Sequence, residues 1–374
     1  MRRIPAVLAL ILIASMLSGC AVNGEVENQA YALVMGVDST DDGGIELTIR
    51  IPRIGRASED DGKSGGKGEA YLVIAASGED YSQALENLQW AVARELNMSH
   101  LKLLVVSSSL ASGTQFPSLI NAIAETRHLY TTAGFIVCEG RAGAFIEGQE
   151  TLLGNHLATD IEATFRHYAA HGFIPPATFA DLYYATSSCY SDPTGIWGFP
   201  DPGEKPAAAI IETDEDRLNA ETKTASSRQY LGAALFREGQ LIGTLDAAET
   251  LGLNLLTGRV GSFGYQFGGR TWTLSSLRKP GVRVEIVNDV PSIRVDVFLT
   301  GAQQEGLEAL EAAIPDALEA LIGKCQAMRV EPFGFAGKAA RHFATLGAWQ
   351  KYDWRARFPG AEVDVRVHLS GPDR

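Results

Sequence analysis

Four groupings of polar residues have the types and spacing that chemistry uses. His167 and His171 stand four apart on an expected helix, with Glu162 one turn away. Two imidazoles at that spacing can share a metal ion. The chain has no His-Glu-x-x-His run and no obvious third ligand, so surface or half-buried histidines are the better reading. Ser107, Ser108 and Ser109 follow an apolar run, as a nucleophile follows a strand in a hydrolase. The glycines of Gly-x-Ser-x-Gly are absent, which leaves a strand end with helix-capping serines. Asp38, Thr40, Asp42 and Gly43 begin like a calcium loop, but the twelfth position, where a bidentate Glu belongs, is Ile49. A solvated hairpin turn is the plainer reading. The stretch Gly62 to Gly68 has the composition of a phosphate loop without its spacing, and no helix opens after it. Paired carboxylates occur by chance in an acidic chain, and none of these groupings argues for catalysis or for a metal.

Cys20 has a more specific setting. Arg2 and Arg3 form a positive n-region, Ala6 to Leu17 an apolar h-region, and small Ser18 and Gly19 stand before the cysteine. This is a secretory signal of the lipoprotein type. Cleavage before Cys20 would leave it as the first residue of the mature chain, carrying a thioether-linked diacylglycerol. The apolar run falls short of the roughly 20 residues that span a bilayer. An ordinary signal peptide or a short helical anchor is the competing reading. The covalent diacylglycerol on Cys20 is the one prosthetic group expected, with no cofactor besides.

The 374-residue chain is 45% hydrophobic with a formal charge of −13, which becomes −15 once Arg2 and Arg3 leave with the signal. Its length calls for two or three domains. No second apolar run approaches membrane length. An acidic body of this kind is not a nucleic-acid binder and does not adhere to anionic lipid through bulk charge. Three further cysteines, Cys138, Cys189 and Cys325, are odd in number and widely spaced, unlike a disulfide framework. Cys138 lies in an apolar run and Cys325 on a helix stripe, so both read as small buried hydrophobes. Cys189 lies in a polar loop, and a Cys138–Cys189 bridge is the weaker alternative.

The elements that must position these residues follow from hydrophobic period. A polar tether over 23–29 precedes a buried strand, Tyr31 to Val37. A Gly-containing turn at 41–44 leads into an alternating strand, Ile45 to Ile51. A Gly- and Ser-rich loop over 53–68 separates it from a strand over 69–76. A helix is expected over 81–96, with Tyr81, Leu85, Leu88, Val92 and Leu96 on one stripe. Strands follow over 101–106 and 135–138, with a helix over 116–125 between them. Residues 154–186 read as two helices broken at Pro175 and Pro176. The Pro- and Gly-rich segment 187–227 reads as a linker, with a short edge strand at 207–211. A hairpin over 230–245 turns at Glu238 and Gly239, and a helix covers 247–256. Strands over 282–287 and 292–299 precede a helix over 303–328, which Pro315 must kink or restart. A strand over 362–369 closes the chain.

Several stretches, in order, resemble the C-subunit lipoproteins of spore germination receptors, the Ger(x)C family. Glu27 to Asp38 and the strand after it resemble that family's first hairpin. Arg94 to Val106 resembles its helix and the strand entry that follows. Gly232 to Gly252 is the most specific stretch, and Gly334 to Gly337 with Trp349, Trp354 and Phe358 resembles the C-terminal signature. The family often has Trp-Asp after the lipid cysteine, where Ala21 and Val22 stand here. It often has an acid before its Phe-Gly, where Pro332 precedes Phe333.

The resemblance implies a multi-domain α+β protein with two or three mixed β-sheets and packed helices, and no enzymatic activity. The expected division is a signal peptide over 1–19, an N-terminal α/β domain over 20–186, a linker and middle domain over 187–278, and a C-terminal α/β domain over 279–374. It implies a lipid-anchored, non-catalytic scaffold subunit of a nutrient germinant receptor, on the extracytoplasmic face of the cell or spore inner membrane. Its partners would be two integral membrane subunits of the A and B types. The alternative is a solute-binding lipoprotein that delivers a small ligand to a membrane transporter. Such proteins have two similar lobes, and no duplicated halves are visible. A surface hydrolase is the third class, and it lacks a nucleophile elbow and a metal motif.

Overall fold

In the computed structural model the described residues are 28–52, 71–127, 129–147, 157–186, 188, 190–199, 229–302 and 306–371. Cys20, Cys189, the loop over 62–68 and the expected edge strand at 207–211 lie outside them.

Among these residues the architecture is mixed α+β, with a two-stranded, an eight-stranded and a four-stranded sheet. In the small sheet β1 (Gln29–Tyr31) and β5 (Glu95–Asn97) are parallel. The large sheet has the order β10-β9-β8-β7-β6-β2-β3-β4. Its centre is parallel, from β2 (Val34–Ser39) through β6 (Leu103–Ser107) and β7 (Gly134–Cys138) to β8 (Thr194–Phe199). Antiparallel strands flank it, with β3 (Ile45–Pro52) and β4 (Tyr71–Gly78) on one side. On the other side are β9 (Gln229–Arg237) and β10 (Gln240–Leu245), which turn at Glu238 and Gly239, both with positive φ.

The central strands are buried on both faces, which is why β6 reads as an unbroken apolar run. Leu104 and Val106 of β6 join Phe135 and Val137 of β7 on one face. That face is covered by α1 (Tyr81–Ala91), α3 (Phe116–Ala124) and α6 (Phe179–Thr186), with the single turn α2 (Ser108–Ala111) behind β6. Leu103, Val105, Ile136 and Cys138 face the opposite way, under α4 (Ala142–Glu147) and α5 (Leu157–Ala170). In β9 the alternation continues: Ala234 and Phe236 belong to the first core, and Ala233 and Leu235 to the C-terminal core.

That core lies between the large sheet and a sheet ordered β11-β12-β13-β14, formed by Ser262–Phe267, Arg270–Val287, Val290–Gly301 and Glu362–Ser370. It is filled by α7 (Ala247–Thr257) and α8 (Leu307–Ala327). A capping box between Asp246 and Glu249 starts α7, and Gly258 in the left-handed region ends it. The last segment carries α9 (Phe335–Ala339), α10 (Leu346–Tyr352) and α11 (Trp354–Arg357), which bury Trp349, Tyr352, Trp354 and Phe358. The two large sheets differ in strand number and order, so the halves are not repeats.

Several sequence expectations change. The helix from Tyr81 stops at Ala91, because Val92 is extended and β5 follows. Val92 and Leu96 still pack against the same core, so the apolar period is met by a different backbone. Pro315 does not restart its helix, since α8 runs through it as one element. Leu310, Ile314, Leu318, Leu321 and Cys325 stay on the buried side and hold the helix against the loss of one donor. The segment read as linker contains β8. Its glycines are packing residues: a Cβ on Gly195 would come within 2.9 Å of Phe135, and one on Gly198 within 3.1 Å of Phe145. The structure adds the strand β11 and extends β12 back from the expected 282–287 to Arg270.

A buried carboxylate junction as candidate functional site

The structure scatters the residues singled out by spacing. His167 and His171 have ring centroids 4.4 Å apart, and His171 Nδ1 lies 2.8 Å from the His167 carbonyl oxygen. Glu162 is instead ion-paired with Lys102. Among the described residues no group of three or more His, Cys, Asp or Glu could hold a metal ion. Ser107 is buried at the end of β6 in the N-cap position of α2, but its hydroxyl makes no capping bond. The capping role expected for these serines is therefore not made. Around Thr40 to Gly44 the chain forms the expected turn, with Gly43 at φ 89°. Asp38 does not belong to that solvated turn. It is buried and accepts the N–H groups of Ala142 at 2.8 Å and Gly143 at 2.9 Å, fixing the start of α4. Cys138 and Cys325 are buried, and burial pushes the Cys325 thiol up to about 12.

A constellation that spacing did not reveal joins distant parts of the chain. Asp192 precedes β8, and Glu331 lies between α8 and α9. The Asp192 N–H donates to the Glu331 carbonyl at 2.8 Å, and the Glu331 N–H donates to Asp192 Oδ2 at 2.9 Å. Arg355 of α11 donates to Asp192 Oδ1 at 3.0 Å and to Glu238, in the β9–β10 turn, at 3.4 Å. Arg237 donates to the Met328 carbonyl at 3.0 Å.

The Glu331 carboxylate curls forward onto the main chain that follows it. Oε1 accepts from the N–H groups of Phe333 at 2.8 Å and Phe335 at 3.1 Å, and Oε2 from Ala336 at 3.0 Å. It thus satisfies donors that the first turn of α9 leaves open. Asp192 and Glu331 are 4% and 3% exposed, so each takes a large desolvation penalty. Burial pushes Glu331 up to about 8, against its three backbone donors, and the nearby Asp192 charge adds to the rise. Burial also raises Asp192, against the Glu331 N–H and Arg355. Every carboxylate oxygen of the pair is engaged by a protein donor, so the cluster is built for attachment.

The signal that could have found it was the expected acid beside Phe333. The acid stands one residue further back, at Glu331. Its partner Asp192 sits in the segment read as linker, where sequence offered no cue.

The junction joins two segments that match known protein families. Residues 23–194 match the family described as "Spore germination protein N-terminal domain", and residues 231–370 match "Spore germination B3/ GerAC like, C-terminal". The chain belongs to the Ger(x)C family of spore germination proteins. Both matched descriptions are of spore germination proteins. The "Putative spore germination protein YfkR" of Bacillus subtilis (strain 168) is 21% identical over 378 residues, which covers 95% of this chain and 92% of that protein. The crystal structure of the GerBC protein matches with a TM-score of 0.53 at 15% identity, covering 91% of this chain and 97% of that chain. That likeness shows the fold. In this Ger(x)C chain Asp192 falls within the first matched segment, and Glu331 and Arg355 within the second.

Proposed function

We propose that this chain is the lipid-anchored C subunit of a nutrient germinant receptor and acts there as a non-catalytic scaffold. The observation that carries the reading is the ordered match of both halves to germination-protein families. Residues 1–19 read as a lipoprotein signal preceding Cys20, which adds the anchor to the reading. The buried junction supports it. The Asp192 carboxylate binds the Glu331 N–H and the Arg355 guanidinium across the two family segments, which suits a rigid body that presents surfaces to partners. The partners are two integral membrane receptor subunits of the A and B types, on the extracytoplasmic face of the spore inner membrane. Among the described residues no helix is long and apolar enough to cross a membrane. In this reading the lipid on Cys20 holds the chain at the membrane. Two acyl chains hold stably, at about 0.8 kcal/mol per buried methylene.

Cys20→Ala tests the anchor. In cells lacking the partner subunits the variant leaves washed membranes, and its N-terminal peptide loses the diacylglycerol mass. Retention of unlipidated protein in those membranes overturns the reading. A second arm tests the scaffold role. Spores carrying His167 and His171 substituted together, or Ser107 to Ser109 together, germinate normally on nutrients at normal abundance. Loss of the response at normal abundance in either set overturns the non-catalytic reading.

A further inference from the structure

Trp90, the penultimate residue of α1, is 80% exposed, more than any other large apolar side chain among the described residues. It opens the turn Trp90-Ala91-Val92-Ala93-Arg94, in which Ala91, Ala93 and Arg94 are exposed and Val92 is half-buried. The turn is held in shape from within. Gln89 Nε2 donates to the Arg94 carbonyl at 3.0 Å, and the Leu96 N–H donates to Gln89 Oε1 at 2.8 Å. Trp90, Val92, Arg94 and Glu95 line an open hollow of about 420 Å3, and Asn28 completes its rim.

Asn28 is the first described residue of the chain, and its place beside this turn follows from strand direction. Because β1 and β5 run parallel, the residue before Gln29 lies beside the residue before Glu95. The chain leading back to Cys20 therefore emerges next to Arg94 and Trp90. Cys20 and Asn28 are eight residue steps apart. At about 3.3–3.6 Å per residue these steps reach at most about 29 Å. A diacylglycerol on Cys20 thus keeps this end of the body close to the bilayer surface.

We propose that the Trp90–Arg94 turn docks on the phospholipid headgroup layer and sets the orientation of the anchored body. The proposal rests on the reading of Cys20 as the anchor. The indole suits the interface because it has an apolar body and one polar N–H. Arg94 offers a guanidinium to lipid phosphate. Glu95 on the same rim offsets that cation, so the aromatic contact carries the docking and anionic lipid adds little.

The test uses the mature lipidated protein, without partner subunits, in vesicles of phosphatidylethanolamine and phosphatidylglycerol whose acyl chains carry bromine. Flotation with the vesicles reads the anchor, and tryptophan quenching reads the docking. The four other tryptophans are buried or half-buried, so quenching in the wild type is expected to come mainly from Trp90 and to be lost in Trp90→Phe. Vesicles without the anionic lipid give the same quenching. Protein that floats and shows equal quenching with and without Trp90, or none, overturns the docking and leaves the anchor standing. The second of those outcomes assigns Trp90 to a protein partner. Protein that does not float overturns both. Trp90→Phe is at an exposed site and keeps the wild-type thermal midpoint, so lost quenching is not lost folding.

Discussion

Asp192 and Glu331, 139 residues apart, hold each other by two hydrogen bonds, one from each main-chain N–H, at 2.8 and 2.9 Å. One bond runs between backbones and the other ends on the Asp192 carboxylate, whose second oxygen takes Arg355. Asp192→Ala removes two of these three contacts and leaves the buried Glu331 N–H without its acceptor. The expected loss is about 2–4 kcal/mol of unfolding free energy, read from urea denaturation. Asp192→Asn keeps an acceptor for the N–H and loses less. Equal stability of Asp192→Ala and wild type would show that the junction does not hold the halves together.

The raised Glu331 carboxyl makes stability depend on pH in a defined window. In the unfolded chain the group releases its proton near 4.5, and in the folded chain near 8. Between those values the folded state binds more protons, so stability falls as pH rises, by at most about 1.4 kcal/mol per pH unit. Below the window the stability is full, and above about 8 the curve levels. Glu331→Gln starts lower, because its amide nitrogen faces a backbone donor, but it loses this slope. Urea unfolding at a series of pH values, compared between the two proteins, checks it, and parallel curves would contradict it.

The outer edge of β14 is guarded from α8. Glu319 Oε1 accepts the Val365 N–H at 2.9 Å, and Glu311 Oε1 accepts the Leu369 N–H at 3.1 Å. Unpaired edge donors invite strand addition from another chain. Glu311→Ala with Glu319→Ala uncovers them, and self-association is the expected outcome in size-exclusion chromatography with light scattering. The double Gln variant keeps both acceptors and elutes as the wild type does.

Phe236 is fully buried, with ring centroids 6.0 Å from Phe116 and 5.7 Å from Phe135. These three rings come from β9, α3 and β7, so the site joins the two family segments through apolar contact. Phe236→Asp places an unpaired carboxylate there, at a cost above about 4 kcal/mol. Immunoblots of spores should show depleted protein and nutrient germination should fail. Normal abundance with a normal response would contradict this placement.

Much of the fold was legible because its signals are local. The alternation in Ile45 to Ile51, the apolar run through Val106 and the turn at Glu238 and Gly239 all mark elements that form where the pattern says. The helix stripe from Tyr81 was right in its contacts and wrong in its backbone beyond Ala91, since an apolar period does not distinguish a helix from a helix followed by a short strand. The strand β8 was illegible for the opposite reason. Its glycines and flanking prolines are loop signals locally, and only the rings of Phe135 and Phe145 lying against Gly195 and Gly198 explain them.

The α+β class, the family resemblance and the candidate anchor at Cys20 are legible in the chain alone, because each is written in neighbouring residues or in their order. Which polar residues belong together is set by the folded arrangement of distant segments. Asp38 went to the start of α4, His167 and His171 gained no third ligand among the described residues, and Asp192 met Glu331 and Arg355. A carboxylate becomes a junction through burial and through donors brought from distant segments. Neither quantity exists until the chain has folded.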